Sequence, residues 1–189
     1  MIICVAICLC ILTGLIRSEY LPILISIISA VLIHELGHLT AAKLLGARVL
    51  SVKASPLGMR IKYSQLSLSP LSECIMCAAG SLTGIICSLI VLIPVLSECD
   101  NVIRFSVFSL GFSIANMLPI RGLDGGSIAE IILNSLLYPE KAEKILYGIS
   151  SVTTLLFYVL AVRIQLRIGI NLPMIILSIY LVLSTIKGK

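Results

Sequence analysis

The sequence predicts an all-α polytopic membrane protein with about six transmembrane helices and a short β-hairpin after the second. Its 189 residues are 59% hydrophobic and 12% charged, with a mean hydropathy of +1.14, whereas about a quarter of the residues in an average soluble domain are charged. Six apolar stretches approach the roughly 20 residues that a helix needs to cross a bilayer. They are residues 2–16, 21–45, 74–96, 102–120, 145–162 and 169–186.

The charged residues favour a membrane location over nucleic-acid binding. The net charge is +5, but the basic residues stand singly between apolar stretches, without a basic helix or a block of like charge. Most of the bases in the loops fall on one side of the predicted membrane, and bases are retained on the cytoplasmic side. We therefore expect a multi-pass membrane protein, with both termini in the cytoplasm and no nucleic-acid partner.

The cysteines predict packing residues rather than a disulfide framework. There are seven, an odd number, and most lie inside apolar stretches. Cys74 and Cys77 form a C-x-x-C pair, but no second pair follows at the spacing of a zinc finger. Packing is the favoured interpretation, with a structural zinc or redox role as the alternative.

Residues 48–72 differ in pattern from the apolar stretches on either side. Residues 59–64 alternate strictly between apolar and polar, residues 49–54 alternate loosely, and Pro56-Leu57-Gly58 between them is a turn signal. This pattern predicts a β-hairpin at the inner membrane face, with an ordinary amphipathic loop as the alternative.

The second apolar stretch contains the H-E-x-x-H motif of residues 34–38. Residues four apart lie on one face of a helix, so His34 and His38 can reach a single tetrahedral metal ion while Glu35 lies beside it. An ionisable side chain at bilayer depth costs at least about 2.5–3.5 kcal/mol, so it is expected to face a cavity or a partner. Because the chain has only two histidines, the pattern favours two metal ligands and a catalytic base over buried packing residues.

A third ligand is needed, because catalytic zinc takes three protein groups and leaves a position for water. Among the acidic residues, only Asp124 and Glu130 lie close to the inner end of the fourth apolar stretch. Pro119 cannot continue a helix and glycines surround Asp124, so we expect the helix to break and present Asp124 from irregular chain at the depth of the histidines. A turn aspartate followed by glycines is the alternative interpretation.

The two motifs together resemble those of the site-2 protease family of intramembrane zinc proteases. One is the H-E-L-G-H of residues 34–38, and the other is the N-x-x-P-x-x-x-L-D-G-G pattern of residues 116–126. The family's third-span motif is often G-P-x-x-N-like, whereas residues 79–84 of this chain read A-G-S-L-T-G. The family also tends to have proline just before L-D-G-G, where this chain has Arg121-Gly122.

The resemblance implies an intramembrane zinc endopeptidase that hydrolyses a peptide bond in or near a transmembrane segment of a membrane-anchored protein. The lipid bilayer and a membrane-bound regulator are further implied partners. The implied site holds one Zn²⁺ ion on His34, His38 and Asp124, with Glu35 as catalytic acid/base and Asn116 in contact with substrate. The hairpin resembles a family element that guides substrate as an added strand.

The resemblance also implies a single metalloprotease domain over residues 1–189, without a PDZ or CBS domain. This form is most similar to the minimal bacterial branch that includes the sporulation protease activating a mother-cell sigma factor. Two other functions remain as alternatives. One is a catalytically silent family member that acts as a membrane chaperone or anti-protease, and the other is a zinc transporter or sensor. A transporter would be expected to offer several ligand sets along a path, yet histidine occurs only in this motif.

Overall fold

The computed structural model describes residues 21–47, 49–55, 58–63, 69–168 and 182. These residues form five α-helices and two β-strands, and they belong to two compact units, Met1–Asn116 and Met117–Lys189. The elements are α1 (Leu21–Leu44), β1 (Val49–Ser55), β2 (Gly58–Tyr63), α2 (Pro70–Ser88), α3 (Asp100–Asn116), α4 (Asp124–Leu136) and α5 (Pro139–Ile168).

Three helical segments in the described part of the chain are long and apolar enough to cross a membrane: Leu21–Leu44, Pro70–Leu92 and Pro139–Arg163. The second of these is α2 continued by the 3₁₀-helix Leu89–Leu92. The predicted fold class, with about six transmembrane helices, is therefore wrong. The predicted stretches 2–16 and 169–186 lie outside the described residues.

The stretch predicted as a fourth span shows why the count was too high. Residues 102–120 overlap α3, which begins at Asp100 and ends at Asn116, and the 17 residues of this helix reach only about 26 Å along the axis. A bilayer core is about 30 Å thick. A hydropathy sum over residues 102–120 includes the residues after Asn116, although the helix has already ended there. The sum therefore makes the apolar helix look longer than it is. The buried face of α3 is also polar, with Ser106, Ser109, Ser113 and Asn116.

Strands β1 and β2 pair antiparallel and connect α1 to α2. Val52 is opposite Ile61 and Ser55 is opposite Gly58, and the register shifts between Val49 and Ser51. Helix α2 then starts at Pro70, at a position that needs no amide proton, and the Ser69 side chain accepts a hydrogen bond from the Ser72 amide at 3.2 Å.

In the first unit, α1, α2 and α3 pack against one another through small residues. Gly37 of α1 faces α2 so closely that a Cβ there would lie 2.7 Å from the Ala79 carbonyl oxygen. Between α2 and α3, the Ser109 hydroxyl donates to the Gly84 carbonyl at 2.9 Å. Small residues of this kind let membrane helices approach closely and form polar contacts between them. The close approach brings α2 and α3 against the face of α1 that carries the histidines.

In the second unit, α4 and α5 pack together, and residues 117–123 lead into α4. The buried side chains of this unit include Ile120 from the leading segment and Leu146 and Ser150 from α5. The start of α4, where Asp124 lies, is thus attached to the packed part of the unit.

Candidate metal centre

The two histidines of α1 direct their Nε2 atoms towards each other. The His34 and His38 Nε2 atoms are 3.1 Å apart, and the ring planes are inclined by 80°. Two imidazole nitrogens that share a tetrahedral zinc ion, each with a Zn–N bond of about 2.0–2.1 Å, lie about 3.3–3.4 Å apart. The observed separation is within a few tenths of an ångström of this value, so the pair fits a shared zinc ion.

A backbone carbonyl sets the tautomer of His38. The Nδ1 atom of this ring lies 2.8 Å from the carbonyl oxygen of Met76 in α2. Because a carbonyl oxygen can only accept, Nδ1 carries the proton and donates it, which leaves the Nε2 of a neutral ring with its lone pair. His38 is therefore held in the tautomer that binds a metal through Nε2.

His34 is buried against α3, with only 3% of its surface exposed. Its ring meets the ring of Phe112 edge to face, with centroids 4.9 Å apart. An aromatic neighbour restrains the imidazole and excludes water from that side, and charge interactions are stronger where water is excluded. Glu35 follows His34 in the same helix and is half-buried.

Asp124 is the first residue of α4, in the second unit. We expected it to be presented from irregular chain, but the helix already begins at this residue. A Cβ at Gly125 would lie 2.6 Å from the Leu118 carbonyl oxygen, and a Cβ at Gly126 would lie 2.6 Å from the carbonyl carbon of Ile120. The segment before the helix lies directly over its first turn, so both glycines of L-D-G-G are required by packing against backbone.

The segment that leads to Asp124 is attached to α5 through Ser150. The Arg121 amide donates to the fully buried Ser150 hydroxyl, which donates to the Pro119 carbonyl, both at 3.2 Å. The Arg121 side chain also forms an ion pair with Glu143 at 3.3 Å. These contacts hold the segment against α5.

The site residues predicted from the sequence lie in both units. His34, His38 and Asp124 each offer one ligand atom of a type that zinc accepts. The assignment of Asp124 as the third ligand stays a prediction. Asn116 is buried at the end of α3, where its Nδ2 donates to the Phe112 carbonyl at 3.0 Å, and its predicted contact with substrate also stays a prediction.

Sequence reasoning missed Met76 and Ser150. The role of Met76 comes from its main chain, so the residue type carries no signal. Ser150 offered no distinguishing signal, since Ser151, Thr153 and Thr154 of the same helix also carry hydroxyls.

Part of the chain is similar to a known protein family. The model of peptidase family M50 matches residues 22–105, a range that includes His34, Glu35 and His38. This range is 84 of the 189 residues, so the similarity covers somewhat less than half of the chain. The match confirms the resemblance to site-2 proteases, whereas the relation to the sporulation branch stays a prediction. M50 peptidases are intramembrane zinc metalloproteases.

A solved structure supports the fold. The site-2 protease from Methanocaldococcus jannaschii matches with a TM-score of 0.69 and 23% sequence identity, over 97% of this chain and 83% of that chain. A search of curated proteins found no match. With three helical segments in its described part that are long and apolar enough to cross a bilayer, the chain is a membrane protein. The cytoplasmic termini and the bacterial origin stay predictions.

Proposed function

We propose that this chain is an intramembrane zinc endopeptidase that cleaves a membrane-anchored protein in or near its transmembrane segment. The observation that carries the proposal is the 3.1 Å approach of the His34 and His38 Nε2 atoms on a membrane helix that also carries Glu35. An ionisable side chain at bilayer depth costs free energy, so a chain that retains two imidazoles and a carboxylate there is expected to use them. In peptidase family M50, that use is zinc-dependent peptide hydrolysis.

The zinc ion would be held by His34, His38 and Asp124. Asp124 is supported by its residue type, by its place in the L-D-G-G motif and by the packing that restrains the first turn of α4. When bound, zinc lowers the pKa of a water ligand towards about 7 and polarises the scissile carbonyl. The carboxylate of Glu35 accepts the proton of the attacking water and passes it to the leaving amine.

The substrate has to unwind locally before it is cleaved. In a transmembrane helix, each peptide bond lies within the hydrogen-bonded ladder and is shielded by side chains. An unwound segment exposes its amides and carbonyls in an apolar environment, where they need partners. Asn116, buried at the end of α3, is proposed as one such partner because an amide side chain both donates and accepts.

The replacement Glu35→Gln tests the proposal. We expect it to lower cleavage by at least about 100-fold, since general acid–base catalysis contributes about 10²–10⁴-fold. Zinc content should stay the same, because the ligands are unchanged. The measurement is cleavage of co-expressed, epitope-tagged single-span membrane proteins, with metal analysis of the purified chain. Glu73→Gln, an exposed glutamate in the first turn of α2, is the matched control and should cleave like the parent.

Other outcomes distinguish the alternatives. If Glu35→Gln cleaves at the parental rate, the role of Glu35 is wrong. If the parent retains single-span proteins without cleaving them, with or without a zinc chelator, the silent-chaperone alternative is favoured. Zinc flux into proteoliposomes would favour the transporter.

A further inference from the structure

Gly80 of α2 lies directly against the ring of His38. If a Cβ is built on Gly80, its three nearest atoms are all in His38: Nε2 is the nearest, Cδ2 is at 2.6 Å and Cε1 is at 2.7 Å. Real Cβ atoms essentially never approach another atom within 3.0 Å. The place that a side chain at residue 80 would take is therefore occupied by the metal-binding end of His38.

We propose that Gly80 is a positioning residue of the metal centre, because its lack of a side chain lets the His38 ring reach the position from which Nε2 meets His34. This inference rests on the proposed zinc site. Gly80 lies one helical turn after Met76, so the two residues share a face of α2. On this face, the Met76 carbonyl accepts a hydrogen bond from Nδ1 of His38. One turn later, Gly80 leaves space for Nε2 of the same ring.

The displacement that a methyl group at residue 80 would impose on the His38 ring can be compared with the spread of metal–ligand distances in real sites. A methyl group at residue 80 would force the ring carbons to move by about 0.7–0.8 Å to reach ordinary contact at 3.4 Å. Metal–ligand distances in real sites stay within about 0.2 Å of their ideal values. The ring would have to move its Nε2 out of position or give up its 2.8 Å hydrogen bond to Met76. We expect Gly80→Ala to weaken zinc binding at least about tenfold, as losses of second-shell contacts do.

Gly84 provides a matched control on the same helix. A Cβ at Gly84 would press on the Ser113 hydroxyl and lie 3.4 Å from the Ser109 hydroxyl, and its three nearest atoms all belong to these serines of α3. Gly84→Ala thus overpacks α2 one turn away from Gly80 without pressing on a metal ligand. A purely structural effect of alanine at a helix crossing would appear in both variants.

The first experiment measures metal binding by the full chain in detergent micelles. Zinc affinity is obtained by competition with a chromophoric chelator, and the absorption bands of the Co²⁺-loaded chain report the ligand geometry. Gly80→Ala should bind zinc at least about tenfold more weakly and change the Co²⁺ bands. Gly84→Ala should keep the parental bands and bind within about twofold of the parental affinity. Parental affinity and bands in Gly80→Ala, or an equal loss in both variants, would overturn the proposal.

A second experiment tests the contact itself without metal. Gly80→Ala is introduced into the parent and into the His38→Ala chain, and the stability of the metal-free protein is measured. Because the nearest atoms all belong to His38, the methyl group should destabilise the parent and be tolerated once the ring is absent. If Gly80→Ala prevents folding in both backgrounds, the obstruction is not His38 and the proposal is wrong. If the parent binds no zinc at all, the proposed function fails, while this second experiment still decides whether His38 requires the glycine.

Discussion

Replacing Gly126 by alanine is expected to destabilise the second unit, because the atoms nearest to the new methyl group would be main-chain atoms rather than side-chain atoms. A Cβ here would be 2.6 Å from the carbonyl carbon of Ile120 and 3.1 Å from the Arg121 nitrogen. Side chains can rotate out of the way, but these atoms move only if the segment before α4 shifts by about 0.8 Å to restore contact at 3.4 Å. Overpacking of this kind costs about 1–3 kcal/mol.

A gain in the unfolded state offsets part of this cost. Alanine restricts the unfolded chain more than glycine does, which stabilises a protein by about 0.4–1 kcal/mol where the new methyl group fits. Taking the midpoints of the two ranges, about 2 and about 0.7 kcal/mol, the expected net loss for Gly126→Ala is about 1.3 kcal/mol. Gly148 in α5 is the matched control, because nothing lies within 4 Å of a Cβ built there. Gly148→Ala should raise stability by about 0.4–1 kcal/mol.

Equilibrium unfolding in mixed detergent micelles, followed by far-ultraviolet circular dichroism, measures both variants. The two substitutions are chemically identical, so an opposite sign of the change in unfolding free energy reports their surroundings. If Gly126→Ala were as stable as Gly148→Ala, the close packing of residues 117–121 over α4 would be refuted.

Two further predictions concern the same unit. Ser150→Ala removes the hydrogen bonds to the Pro119 carbonyl and from the Arg121 amide and should cost about 1–3 kcal/mol in the same unfolding measurement. The control Ser151→Ala should stay within about 0.5 kcal/mol of the parent, and equal stability of the two variants would contradict the bridging role. Asp124→Asn should weaken zinc binding at least about tenfold and abolish cleavage, while Glu130→Gln, exposed on the same helix, should keep both. Parental zinc affinity in Asp124→Asn would remove Asp124 from the ligand set.

The histidine pair could be predicted from sequence because helical periodicity alone determines its geometry. Residues four apart meet on one face whatever surrounds them, and the structure places the two Nε2 atoms 3.1 Å apart. The resemblance to site-2 proteases followed from the same motif together with L-D-G-G, and the family model matches the range that holds the first of the two motifs. These features depend on local spacing, which a sequence states directly.

Features that depend on packing between segments could not be predicted in this way. The A-G-S-L-T-G segment of α2 was read only as a departure from the family pattern, yet Gly80 and Gly84 are the residues where the helix crossings are tightest. The two glycines after Asp124 suggested a broken helix, since glycine is a poor helix former. Contact with the preceding segment outweighs that preference and the helix starts at Asp124. The predicted fourth span, residues 102–120, was too long because a hydropathy value depends on residue type and not on where a helix ends.

The bond from His38 to the Met76 carbonyl has a consequence for how this centre tolerates sequence change. A main-chain acceptor is present whichever side chain occupies residue 76, so no single substitution there deletes the group that orients the imidazole. Only a shift or distortion of α2 can withdraw it. The tautomer of His38 is thereby set by the path of the α2 backbone. A substitution at residue 76 that leaves this path unchanged also leaves the tautomer unchanged.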